Sequence, residues 1–109
     1  MNNMEEYVYV LREDMYNEWA WENGATDIIC LSKNYKTIMN YVNDELDIQR
    51  GHDRIIEQYK DNISLEEQIK GLADNNDSGV YIDIYENEED YSNGKNMATL
   101  VVSYEKVEK

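Results

Sequence analysis

The sequence predicts an α+β domain: a four-stranded antiparallel sheet in the order β-β-α-(α)-α-β-β, with its helices packed on one face. Three observations carry this expectation. Both ends of the chain hold short stretches in which apolar and polar residues alternate, the period of a strand. The middle instead repeats its apolar residues at helical spacing. All 109 residues fit one compact domain over 1–109, with no repeat and no low-complexity linker to divide it.

Tyr7, Tyr9 and Leu11 alternate with Val8 and Val10, so residues 6–12 read as the first strand. Residues 26–31 form a second apolar run of strand length, preceded by the turn signal Asn23-Gly24. The connection over 13–22 is long for a hairpin, and Trp19 and Trp21, two apart, suggest that strand pairing extends into it. Ser32 is a plausible N-cap for a helix starting near Lys33, with Tyr35, Ile38, Val42 and Leu46 as its buried stripe. Gly51 interrupts that pattern. Ile55, Ile56, Tyr59 and Ile63 then resume it as a second helix or as a continuation after a kink. Ser64-Leu65-Glu66-Glu67 is a capping box, and Leu65, Ile69 and Leu72 form the apolar face behind it.

Residues 79–86 alternate Val80, Ile82 and Ile84 with Tyr81, Asp83 and Tyr85, the third strand. Residues 97–104 make the fourth, joined to the third by a loop over 87–96 that turns at Asn93-Gly94. Val8, Val10, Tyr81 and Tyr85 are large residues on the side away from the expected helices. A solvated sheet face would be polar there. The Trp-bearing connection, a twin subunit or a partner would therefore cover it, self-coverage being the usual outcome.

Composition narrows the function. The chain has no Phe and no Pro, ten Tyr and two Trp. Tyrosine brings an apolar ring with a polar tip, so some of these rings belong at the rim of the core. Twenty-four Asp and Glu against ten Lys and Arg give a net charge of −14. Such a chain repels nucleic acid and anionic lipid, so neither is expected as a direct partner. It suits a basic protein or metal cations, or simply confers solubility. The single Cys30 forms no internal disulfide, and no signal peptide or membrane-length apolar run is evident. A cytoplasmic protein is expected.

The negative charge is uneven. Residues 1–29 and 71–109 each carry a net −6, whereas the helical middle over 30–70 carries −2. Between residues 74 and 91 there is no Lys or Arg, and Asp74, Asp77, Asp83, Glu86, Glu88, Glu89 and Asp90 accumulate. These carboxylates, with Tyr81, Tyr85 and Tyr91, are the candidate partner-binding residues. On an extended strand Glu86, Glu88 and Asp90 would stand on one face about 6.6 Å apart, close to the phosphate spacing of an extended nucleic-acid strand. Asp53, Glu57 and Asp61 would form a second line along a helix.

Catalytic signatures are missing. One His (His52) and one Cys (Cys30) supply neither a nucleophile with its base nor a zinc ligand set. No P-loop or dinucleotide fingerprint is present. Paired carboxylates abound in any chain this acidic and do not discriminate. Asp74-Asn75-Asn76-Asp77-Ser78-Gly79 matches the opening of a calcium loop, but its twelfth position is Tyr85, with Glu86 one residue late. A helix-to-strand turn accounts for the same residues. No catalysis, cofactor or metal is expected.

The openings Tyr7-Val8-Tyr9-Val10-Leu11 and Ile28-Ile29-Cys30-Leu31-Ser32, the latter leading into a helix, join a composition rich in Asn, Lys, Ile and Tyr. In this whole-chain character the protein resembles small acidic phage-encoded proteins of low-GC Gram-positive bacteria, among them anti-CRISPR proteins. The resemblance implies a target type, the nucleic-acid-binding surface of a CRISPR effector nuclease in the bacterial host cell, and assigns no residue. The expected function is a non-catalytic inhibitor that mimics DNA or RNA with carboxylate arrays. The alternatives are an immunity or antitoxin protein that neutralises a basic toxin, and a homo-oligomeric phage accessory protein such as a homodimer.

Overall fold

The computed structural model describes residues 6–15, 26–60, 62–75 and 79–107. It is an α+β arrangement built on one antiparallel sheet of five strands rather than four. The strands are β1 (Tyr7–Met15), β2 (Thr26–Ser32), β3 (Ile55–Gln58), β4 (Val80–Tyr85) and β5 (Ala98–Lys106). Their order across the sheet is β2-β1-β5-β4-β3. The helices are α1 (Tyr35–Gly51), α2 (Leu65–Asn75) and the short α3 (Glu88–Ser92).

The extra strand corrects the expected second helix. Asp53 adopts a left-handed φ of 57° just after α1, and this reverses the chain. Residues 55–58 then pair with β4, setting Ile55 opposite Tyr85, Ile56 opposite Ile84 and Glu57 opposite Asp83. Two adjacent β-branched residues suit a pleated strand. The spacing Ile55-Ile56-Tyr59-Ile63 fits a helix as well, and only the pairing with β4 decides between the two periods. The proposed helical line of Asp53, Glu57 and Asp61 therefore does not exist. Asp53 lies in the turn, Glu57 on a strand, and Asp61 outside the described residues.

α1 leaves β2 at one edge of the sheet and delivers the chain to β3 at the other. Its 17 residues span about 25 Å, enough to cross five strands set about 4.8 Å apart. The helix is capped by Asn34 rather than Ser32. The Asn34 side chain accepts from the Lys36 amide at 2.9 Å, while Ser32 Oγ instead accepts from the Asn34 amide at 3.0 Å. The capping box ahead of α2 forms as expected on its serine side, with Ser64 Oγ accepting from the Glu67 amide at 3.2 Å.

Ile38, Val42 and Leu46 of α1 and Ile69 and Leu72 of α2 pack on one face of the sheet. They meet Tyr9 and Leu11 of β1, Val80, Ile82 and Ile84 of β4, and Leu100 and Val102 of β5. Cys30 lies partly buried against this core. Strand β1 runs three residues beyond its expected end and pairs along its length with β5, from Tyr7 opposite Lys106 to Met15 opposite Ala98. Trp19 and Trp21 lie outside the described residues.

Candidate functional site

The other face of the sheet carries the groups that can meet a partner. Backbone pairing lines up Thr26, Asp14, Thr99, Asp83 and Glu57 as one row across all five strands. Thr26 Oγ1 donates to Asp14 Oδ1 at 3.0 Å, and Arg12 Nε lies 3.3 Å from the same oxygen. At the centre, Thr99 Oγ1 donates to Asp83 Oδ1 at 2.7 Å and Asn96 Nδ2 at 3.3 Å. The Tyr59 hydroxyl donates to Asp83 Oδ2. One strand further, Glu57 accepts from the Tyr85 hydroxyl at 3.1 Å and from the Tyr91 hydroxyl at 3.4 Å. Tyr85 and Tyr91 pack edge to face, with centroids 5.1 Å apart.

These contacts hold protons on the phenols. The hydrogen bond to Asp83, then burial and the surrounding negative charge, push Tyr59 up to about 12 from its ordinary 10.0. Burial first, then the bond to Glu57 and the charge of Glu57 and Asp83, push Tyr85 up to about 12. On the helix side, burial raises the Glu13 carboxyl, Glu45 and Asp27 raise it further, and Arg54 opposes them.

The candidate residues from the sequence are scattered by the fold. Asp83 is not a surface carboxylate; it is 6% exposed. Tyr85 is buried, while Tyr81 and Tyr91 are exposed. Asp74 stands exposed in the last part of α2, at the opposite end of β4 from Glu86. Asp77, with its neighbours Asn76 and Ser78 in the calcium-like loop, lies outside the described residues. Among the described residues, no three His, Cys, Asp or Glu side chains gather closely enough to hold a metal ion.

The expected ladder of Glu86, Glu88 and Asp90 does not form. Residues 88–92 are helical, and side chains two apart on a helix do not share a face. Asn87 caps this turn by accepting from the Asp90 amide at 2.8 Å. Glu88, Glu89 and Asp90 fill the first turn, where negative charge complements the helix dipole. Gly94, with φ 69°, closes the helix: its amide donates to Tyr91 O and that of Lys95 to Asp90 O at 2.8 Å, a Schellman ending. Asn93-Gly94 thus ends a helix instead of turning a hairpin.

The topology nevertheless separates charge. At the end of the sheet where β1 and β4 finish and β2, β3 and β5 begin stand Glu13, Asp14, Asp27, Asp53, Glu86, Glu88, Glu89 and Asp90. Arg12, Arg50, Arg54 and Lys95 stand at the same end and answer part of this charge, and Glu6, Asp74 and Glu105 lie toward the opposite one. Arg54 Nη1 donates to Gln49 Oε1 at 2.8 Å, and its Nε lies 3.5 Å from Glu86 Oε2. Lys33, Lys36, Lys60, Lys70 and Lys106 fall at the other end, where Lys70 Nζ stands 5.8 Å from the centre of the Tyr35 ring.

Asp14, Tyr59, Asn96 and Thr99 were absent from the candidates read from sequence, and Glu57 was read only as part of a helical line. The alternation of residues 79–86 had already placed Asp83 outward, but the register that brings Thr99 and Glu57 beside it has no local signature. No protein-family model matches the chain, and neither a curated protein nor a solved structure matches it. Among the described residues, no helix is long and apolar enough to cross a membrane.

Proposed function

We propose that the protein is a non-catalytic binding protein whose acidic sheet end occupies a basic, nucleic-acid-binding surface on another protein. The target class is a host defence nuclease, and the setting is the bacterial cytoplasm. The observation that carries this reading is the segregation of charge: carboxylates from four segments converge on one end, while five lysines lie at the other. A field of one sign at one end steers a basic partner and orients it during approach. The array is a cluster of exposed side chains on a turn, a strand end and a one-turn helix. It offers charge without the regular ladder of a phosphate backbone.

The test is a tagged pull-down from a bacterial lysate containing CRISPR effectors, repeated at low and high salt and with competitor DNA. Capture of a basic nucleic-acid enzyme that DNA displaces supports the proposal. Replacing Glu86, Glu88, Glu89 and Asp90 together by Lys should abolish that capture; the fourfold Gln variant should weaken it less. Capture of a toxin-like protein regardless of DNA transfers the reading to immunity. Recovery of the chain alone points to self-association, for which exposed Ile28 and Leu31 on edge strand β2 (64% and 60% exposed) are the available apolar surface.

A further inference from the structure

A depression of about 350 Å³ opens on the face of the sheet away from α1 and α2, and Tyr59, Tyr81, Asp83, Asn96 and Thr99 line it. Its wall includes the Tyr59 side chain, 59% exposed, while the Asp83 carboxylate is almost fully withdrawn from solvent. Each group that donates to Asp83 (Thr99, Asn96 and Tyr59) is neutral. The ion pairs Arg12–Asp14, Lys33–Glu6, Arg50–Asp47 and Arg54–Glu86 involve neither Asp83 nor Glu57, whose hydrogen bonds come from neutral groups. Yet Glu57 stands directly opposite Asp83 on the neighbouring strand. Like charges in that position repel, and hydrogen bonds from neutral groups relieve the repulsion without cancelling it. A positive charge is what this place lacks, and the depression gives one access.

We propose that the depression receives the guanidinium of an arginine side chain from the partner protein. This rests on the reading of the protein as a binder of basic surfaces, and it locates where one cation is held rather than merely attracted. Asp83 already accepts from three donors of the about four that a carboxylate can take. A guanidinium would therefore donate one N–H to Asp83 instead of gripping that carboxylate with both prongs, while Glu57, outside the lining and bonded to Tyr85 and Tyr91, adds attraction through its charge. Its flat face suits the exposed Tyr59 ring, whereas a lysine ammonium is compact, strongly hydrated and has no plane to stack.

The experiment is a titration of the isotope-labelled full chain with the capped tripeptide acetyl-Gly-Arg-Gly-amide and its lysine counterpart, followed by NMR. The arginine peptide should shift the amides of Asp83, Thr99 and Tyr59 first and bind about threefold or more tighter than the lysine peptide. Asp83→Asn should weaken arginine binding by about tenfold or more. Tyr59→Ala alters an exposed side chain and leaves the core intact; it should weaken binding about threefold and guards against misfolding of the first variant. Shifts centred on Glu88 and Glu89 with no preference for arginine would overturn the proposal. So would variants that bind as the parent does. The peptide experiment involves no nuclease, so its failure is distinct from that of the functional reading. Arginine capture without displacement of nucleic acid from any nuclease keeps this inference and ends the mimicry reading.

Discussion

The two faces of the sheet use the same strands and solve opposite problems. Toward the helices, Leu11, Leu100, Val102, Ile82 and Ile84 are fully buried against α1 and α2. Stability there comes from apolar area removed from water. On the other face the neighbouring residues Arg12, Asp14, Thr99, Asp83 and Glu57 form a polar row held by hydroxyl, amide and phenol donors. Strand alternation writes both faces into one stretch of chain, since residue 99 or 83 belongs to one and residue 100 or 82 to the other. The comparison teaches that the helix-covered face supplies the main apolar core, while the other, which also buries Val10, Val101 and Tyr85, holds a row of charged and polar groups.

Leu100→Ala attacks the sealed face at its centre and should show the largest effect. About 2–5 kcal/mol of stability should be lost, measured by denaturant unfolding, with the acidic surface unchanged. Asp83→Ala attacks the polar face. It deprives buried Thr99 and half-buried Asn96 of an acceptor and should cost about 1–3 kcal/mol. If it costs more than Leu100→Ala, the division of labour between the faces is wrong.

The phenols sharpen the contrast through pH. Tyr59 and Tyr85 titrate in the folded protein at about 12, above their ordinary 10.0. Their proton-bound forms therefore add stability below pH 10, and that contribution is lost as pH rises through 12. Burial raises Tyr9 as well, so a phenolate absorbance titration should show Tyr9, Tyr59 and Tyr85 among the late tyrosines, and Tyr59→Phe should remove one of them. Glu13 gives the smallest effect. Its carboxyl is raised, so the folded state favours the protonated form: stability from this group is present below pH 4.5 and falls as pH rises through the folded value. Glu13→Gln should raise the thermal midpoint slightly at pH 7 and leave it unchanged at pH 3.

Much of the apolar face was legible in the sequence. The alternation of Tyr7-Val8-Tyr9-Val10-Leu11, the stripe Ile38-Val42-Leu46 and the Ser64 cap all report local physics that survives folding. β3 was not legible, because Ile55, Ile56 and Tyr59 satisfy two periodicities and a partner strand whose paired residues lie 24 or more positions away chooses between them. The turn after β4 failed for a related reason: Asn87 and Asn93-Gly94 fit a hairpin loop as well as the two caps of a one-turn helix. Of the candidate site, Asp83, Glu86, Glu88, Glu89 and Asp90 were found as charges, but Glu86, Glu88 and Asp90 were misplaced as a ladder and Asp83 is buried. Glu57 beside Asp83 is a matter of register, which no residue announces by itself.

The last strand of the described chain lies in the middle of the sheet. Until β5 is made, β1 has only β2 beside it, and β4 has only β3. Each pair then presents a bare edge, and the core has a slot where Leu100 and Val102 belong. The two ribbons therefore cannot lock together until Ala98–Lys106 takes its place between them. A chain that lacks that strand would have no closed sheet on which to array its acidic end.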